Sequence, residues 1–301
     1  MAIRERRRDN DRDELEALDL AIGDLDWTAP APDTTSFGFP APSGILASIA
    51  LGDPANPRAV LLPGATGSKE DFALLAPLLR DAGLFVQSYD LAGQYQSAEA
   101  GPGADGTYDY DLFVADLIAF LEAGSTPVHV LGYSFAGIVA ELALARRPEL
   151  FATLTLLGAP PEPGQTFRGV RWIGRLSYLL SAHRIAALII WGIVTNKNNV
   201  RAGRLSLVRM RFRHTSRSSV DDIVRLMKHV PDVRAVLATA GVPILIAVGD
   251  NDLWHRSLHR GLADRIGAEL RVYRTGHSPC ETTPHQLAGD MLALYARGAA
   301  R

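Results

Sequence analysis

From about residue 43 the chain alternates short apolar runs with stretches in which apolar positions recur every three to four residues. Ile45–Leu51 and Ala59–Leu62 read as strands, the second running into the turn signal Pro63-Gly64. Lys69–Ala82 spaces Phe72, Leu75, Leu78 and Leu79 as a helix does, and Leu84–Tyr89 reads as the next strand. Tyr110–Leu121 carries Phe113, Leu117, Phe120 and Leu121 on one helical side. Val128–Leu131 reads as a strand, Ala136–Arg146 as a helix and Leu154–Leu157 as a strand. After a long interruption the pattern resumes with a strand over Pro243–Val248, a helix over Leu258–Ile266, a strand over Leu270–Tyr273 and a final helix over Gln286–Tyr295. Strands that are apolar at successive positions are covered on both faces. Alternated with helices, they predict an α/β fold with a mostly parallel central sheet and helices on both sides.

Three segments follow from this pattern. Residues 1–36 read as a peripheral extension: Asp13–Leu25 predicts a short amphipathic helix with Leu15, Leu18, Ile22 and Leu25 on one face, and Ala29-Pro30-Ala31-Pro32 an extended linker. Residues 37–159 and 236–301 form the core. Residues 160–235 have no convincing strand. They hold an apolar, helix-like stretch at Ile173–Thr195, then a basic run, then a helix at Val220–His229, and are expected to form a helical cap, or lid, inserted into the core.

Charge sharpens that division. The whole chain has a formal net charge of −2, yet residues 160–235 contain fourteen Lys and Arg against four acidic residues. Arg201, Arg204, Arg209, Arg211 and Arg213 read as a solvated face, or as an attractor for an acidic head group, a phosphopantetheine carrier or an anionic membrane. The apolar residues around Leu188–Trp191 either line an acyl pocket or bury the cap's own core.

Composition removes several function classes. At 301 residues, with 47% hydrophobic and 21% charged, the chain can build an ordinary globular core. The single cysteine, Cys280, excludes an internal disulfide framework and a cysteine zinc site, and fits a reducing, cytoplasmic setting as a buried thiol. Met1–Glu16 is dense in Arg, Asp and Glu and lacks the apolar stretch of a secretory signal. The most apolar run, Ile185–Val194, is about half the length that crosses a bilayer, so no stable membrane insertion is expected. Nucleic acid is not an expected partner, because the basic run has no interleaved aromatic beyond Phe212. No metal and no organic cofactor is implied, and nothing fixes the oligomeric state.

The chemistry-bearing stretch is Val128-His129-Val130-Leu131-Gly132-Tyr133-Ser134-Phe135-Ala136-Gly137. An apolar strand enters Gly-x-Ser-x-Ala-Gly and a helix follows, the context of a nucleophile elbow. Such a turn needs small residues two before and two after the serine, and Gly132 and Ala136 supply them. Ser134 would stand at a helix N-terminus, where negative charge is favoured; the competing reading is a serine that merely caps the helix. A serine nucleophile needs a base. His277, in Gly276-His277-Ser278-Pro279 between the last strand and last helix, is the one histidine of eight in that position. The strand Pro243–Val248 ends at Gly249-Asp250-Asn251-Asp252, and either aspartate could orient the imidazole.

These features, with the Gly64 loop and the Asp90-Leu91-Ala92-Gly93 loop, occur in the order found in α/β-hydrolases, and the chain resembles that superfamily over roughly residues 43–159 and 236–297. Pro63 stands where the family commonly has histidine, and Tyr95 where it has glycine. The resemblance implies an α/β-hydrolase fold with a helical cap and Asp252 as the acid, Asp250 being the alternative. It also implies an oxyanion hole made by the backbone N–H groups of Phe135 and Ala65, with Thr66 as an alternative second donor. The expected activity is that of a serine hydrolase acting on a small-molecule ester or other acyl substrate. Thioester or carbon–carbon hydrolysis, perhydrolysis, or a non-catalytic small-ligand receptor on the same fold remain as alternatives.

Overall fold

The computed structural model describes residues 12–170, 184 and 202–298. Eight strands form one sheet: β1 (Thr35–Ala41), β2 (Gly44–Leu51), β3 (Arg58–Leu62), β4 (Phe85–Tyr89), β5 (Val128–Tyr133), β6 (Phe151–Leu157), β7 (Ile244–Gly249) and β8 (Glu269–Tyr273). Their spatial order is β1-β2-β4-β3-β5-β6-β7-β8. The pairs β1/β2 and β2/β4 are antiparallel, and every pair from β4 onward is parallel. The helices are α1 (residues 12–20), α2 (Leu75–Asp81), α3 (Tyr110–Glu122), α4 (Phe135–Arg146), α5 (Ala202–His214), α6 (Arg217–Leu226), α7 (Arg234–Thr239), α8 (Arg256–Ile266), α9 (Pro279–Thr282) and α10 (Pro284–Gly298).

The two-residue period of the strands divides the core in two. Val60, Leu62, Val128, Val130, Ile244 and Ile246 join the cluster that includes Phe113, Leu117, Val139 and Leu262 of α3, α4 and α8. Ala59, Leu61, Leu131, Tyr133, Leu245 and Ala247 join the one with Leu75 and Leu79 of α2 and Leu287, Met291 and Leu294 of α10. Both faces of the inner strands are therefore dry, which is why those strands lack polar alternation.

Strand β1 is absent from the pattern reading. Its residues TSFGFPA contain Gly38 and Pro40 and are half exposed. As an outermost strand paired only with β2, it can hold a proline that an inner strand would reject. The predicted helix over 69–82 divides into a short 3-10 turn, Lys69–Phe72, and α2.

The N-terminal helix also differs from the expected apolar stripe. Leu18 is 51% exposed, whereas Asp19 is buried and accepts hydrogen bonds from the backbone N–H groups of His285 and Gln286. Asp19 thus supplies, from 266 residues away, acceptors that the first turn of α10 lacks. The helix ends at residue 20 rather than 25.

Between β6 and β7 the described residues include a short 3-10 turn at Thr166–Gly169, isolated bridges at Gly164 and Val170, and the helices α5, α6 and α7. The expected apolar stretch Ile173–Thr195 lies, apart from residue 184, outside the described residues. Among those described, no helix is long and apolar enough to cross a membrane.

Candidate active site

The chain runs β3, β4 and then back across to β5, so sheet order reverses between β3 and β5. That reversal opens a crevice at the strands' C-terminal ends. Ser134 follows β5 directly. Its backbone sits at φ 52°, ψ −119°, a left-handed conformation that costs a non-glycine residue about 1–3 kcal/mol and persists only where its surroundings enforce it. Here Ser134 N–H donates to the Leu157 carbonyl at 2.8 Å. A side chain on Gly132 would meet the Ala136 carbonyl oxygen at 2.5 Å, and one on Gly137 the Ala159 methyl at 2.4 Å. The small residues of the motif are thus required by contact.

Ser134 does not cap α4 with its side chain. Its Oγ lies 3.1 Å from His277 Nε2, and His277 Nδ1 lies 2.7 Å from Asp252 Oδ1. Asp252 is 1% exposed and Ser134 9%, while the His277 side chain keeps 22% of its surface. The hydroxyl, ring and carboxylate form one line from a slightly open end into the interior. Asp250 instead accepts from the Asn251 side chain and is part of a turn, its N–H donating to the Tyr273 carbonyl.

Two close approaches set this line. A methyl at Gly158 would lie 3.0 Å from His277 Cε1 and 3.2 Å from Asp252 Oδ2, and Gly158 has φ +52°. A methyl at Gly249 would lie 2.0 Å from the Gly276 carbonyl oxygen, so the loops bearing Asp252 and His277 touch backbone to backbone. Tyr133 and Trp254 flank the imidazole at ring-centroid distances of 5.4 and 5.9 Å. Tyr133 hydroxyl and Ser278 Oγ share a 2.7 Å hydrogen bond, and Trp254 Nε1–H donates to the Thr166 carbonyl. Neither Gly158 nor Trp254 is visible as a site residue in the sequence: each acts by where the fold places it.

The β3 loop passes directly over the serine, since a methyl on Gly64 would lie 3.0 Å from Ser134 Cβ. Thr66 N–H is already given to Gln94 Oε1 at 3.0 Å. The N–H groups of Ala65 and Phe135 donate to no other group among the described residues. Gln94 in turn donates to Ser219 Oγ of α6 at 2.6 Å, which ties the loop to the inserted helices.

The basic cluster is not simply a solvated face. Arg204 and Arg211 are buried against Asp71 and Glu281. Cys280 is fully buried, and burial pushes its thiol well above the ordinary range. Among the described residues no group of three or more His, Cys, Asp or Glu is placed to hold a metal ion.

A family model described as the alpha/beta hydrolase family matches residues 59–290. The chain belongs to the alpha/beta hydrolase family. Membership places it among hydrolases, and the eight-stranded, mostly parallel sheet is that family's scaffold. Among curated proteins, none matches the chain. Several solved structures share this hydrolase fold. A carboxylesterase of the ammonia-oxidizing thaumarchaeon Nitrososphaera gargenis matches at 18% identity, covering 88% of this chain and 99% of its own, with TM-score 0.69. A hydrolase from Pseudomonas aeruginosa matches at 20% identity over 86% and 98%, TM-score 0.71. An epoxide hydrolase from Vigna radiata matches at 13% identity over 89% and 100%, TM-score 0.72.

Proposed function

We propose that this hydrolase cleaves an ester or related acyl substrate through a covalent acyl-enzyme on Ser134. The observation that carries the reading is the 3.1 Å contact between Ser134 Oγ and His277 Nε2, backed by Asp252 on Nδ1. His277 takes the hydroxyl proton as Ser134 attacks the carbonyl carbon. Asp252 holds the ring in the right tautomer and stabilises the imidazolium. The tetrahedral oxyanion accepts from the N–H groups of Phe135 and Ala65, the first backed by the α4 N-terminus. His277 then protonates the leaving group, and water, deprotonated by the same ring, releases the acid. Helices α5 and α6 serve as the cap over this centre.

A carboxylesterase and a thioesterase domain are among the proteins of similar fold, in keeping with acyl chemistry. The test is labelling with a fluorophosphonate probe. Wild type should label, and Ser134→Ala and His277→Ala should not. A folded wild type that never labels would favour a ligand receptor over an enzyme. A panel of p-nitrophenyl esters set against acyl thioesters then separates the substrate classes.

A further inference from the structure

Arg204 sits in the first turn of α5, outside the serine, imidazole and carboxylate line, yet it reaches both loops that frame them. Its Nη2 donates to Asp71 Oδ1 at 2.7 Å and to Glu281 Oε1 at 2.5 Å. Asp71 belongs to the β3 loop region: its Oδ2 accepts the Ser68 N–H, and a methyl on Gly67 would lie 2.5 Å from that oxygen. Glu281 follows His277 by four residues in α9 and donates its N–H to the Ser278 carbonyl, at the junction with the loop that carries His277. One guanidinium nitrogen therefore joins the 3-10 turn that follows the Ala65 loop to the helix α9 that follows the His277 loop. Arg211, two turns along α5, donates to the same Asp71 oxygen at 2.6 Å and to Ser68 Oγ at 3.3 Å.

The other face of Arg204 is covered by the N-terminal segment. Its Cζ lies 5.0 Å from the centroid of the Trp27 ring, and Trp27 is itself buried. Beside it the Gly203 N–H donates to Asp24, and a side chain at 203 would strike the Leu25 carbonyl oxygen at 2.1 Å. Asp19 holds the same segment to α10 through His285 and Gln286. Residues 19–27 thus cross from α10 to α5 and close over Arg204.

A buried ionic cluster is a poor source of stability, because desolvation offsets the attraction. What it enforces is position: Asp71 is 2% exposed at its side chain, so its charge has no solvent to turn to if Arg204 moves. Burial alone would favour a neutral Asp71; the two guanidiniums outweigh it and hold the carboxyl below its usual range.

We infer that Arg204 is a positioning residue for the proposed acyl transfer, keeping the oxyanion loop and the histidine loop in register, and that the N-terminal segment serves as the strap which seats it through Trp27. The inference rests on the serine-hydrolase reading above. A shift of the Ala65 N–H by a fraction of an ångström weakens transition-state binding and leaves ground-state binding alone.

The test uses the full chain with Arg204→Gln, Trp27→Ala and Gly203→Ala. The last is informative because alanine suits a helix better than glycine, so α5 itself gains while the strap is forced off. On a p-nitrophenyl ester, each variant should lose about 10-fold or more in kcat with KM unchanged. The inhibition constant of a boronic acid, which mimics the tetrahedral intermediate, should rise by the same factor as kcat/KM falls. If Arg204→Gln fails to fold, Gly203→Ala and Trp27→Ala carry the test. Folded variants with wild-type kcat and wild-type boronate affinity overturn the inference, as does a loss that appears in KM alone. Failure of the serine reading looks different: wild type itself would neither label nor turn over.

Discussion

Gly158 and His277 are in contact where a side chain on the former would push the imidazole away from Asp252: a methyl at 158 would lie 3.1 Å from His277 Nδ1. The backbone there is at φ +52°, so any other residue is strained as well as crowded. Gly158→Ala is expected to cost about 1–3 kcal/mol of stability from the backbone and to lower kcat/KM about 100-fold from displacement of the ring. Steady-state kinetics and urea unfolding on the same variant check both. Kinetics equal to wild type would mean that the ring tolerates the shift.

Asp252→Asn should depress kcat by about 10³–10⁴-fold, because an amide favours the wrong tautomer of His277. Asp250→Asn should change it far less, since Asp250 bonds within its own turn. Comparable losses in both variants would refute the assignment of the acid.

Gln94→Leu removes the acceptor of Thr66 N–H and the donor to Ser219 in one step. It should cost about 1–3 kcal/mol for a buried donor left without a partner. It should also lower kcat about 10-fold at unchanged KM, because the loop carrying Ala65 loses its anchor. Thermal unfolding with a boronate titration measures the two effects separately. A change in KM without a change in kcat would place Gln94 in substrate binding instead.

Among the buried titratable groups, Glu141 and His259 contribute to the pH dependence of stability with opposite signs. Burial raises the Glu141 carboxyl to about 8, so it folds protonated. Its contribution is complete below about pH 4.5 and is lost as pH rises through about 8, a change on the order of a few kcal/mol. Burial lowers His259 to about 4, so it folds neutral; its contribution is complete above pH 6.5 and falls as pH drops toward 4. Glu141→Gln should therefore be more stable than wild type at pH 9 and show a flatter profile between pH 5 and 8. Urea unfolding across that range measures it, and a profile parallel to that of wild type would show that Glu141 ionises freely in the fold.

The elbow was legible because local chemistry and local geometry coincide there: a strand, four small or turn-forming positions and a helix lie within twenty residues, and each constrains the next. That His277 would lie beside Ser134 was legible from chain order. Asp252 against Asp250 was open from the residues alone, because both lie in one turn and only the third dimension turns one of them inward. Strand β1 was hidden because an edge strand has no need of continuous apolar residues. Gly158, Trp254 and Asp19 were beyond reading for a different reason. A glycine near a ring 119 positions later, or an aspartate accepting from a helix 266 positions later, leaves no local periodicity. The basic run misled through composition: arginines counted by charge look solvated, but Arg204 and Arg211 meet Asp71 from a distant loop and are buried by it.

The contact of Gly249 with the Gly276 carbonyl has a consequence for engineering. The turn bearing Asp252 and the turn bearing His277 interlock like two halves of a hinge pin, and neither has room to accept a replacement shaped for another partner. Grafting either loop alone from a related enzyme should misalign the pair, whereas exchanging residues 249–252 and 273–278 together preserves their fit. Diversity in this scaffold is then best sought in the inserted helices, with this joint left as a single transplantable unit.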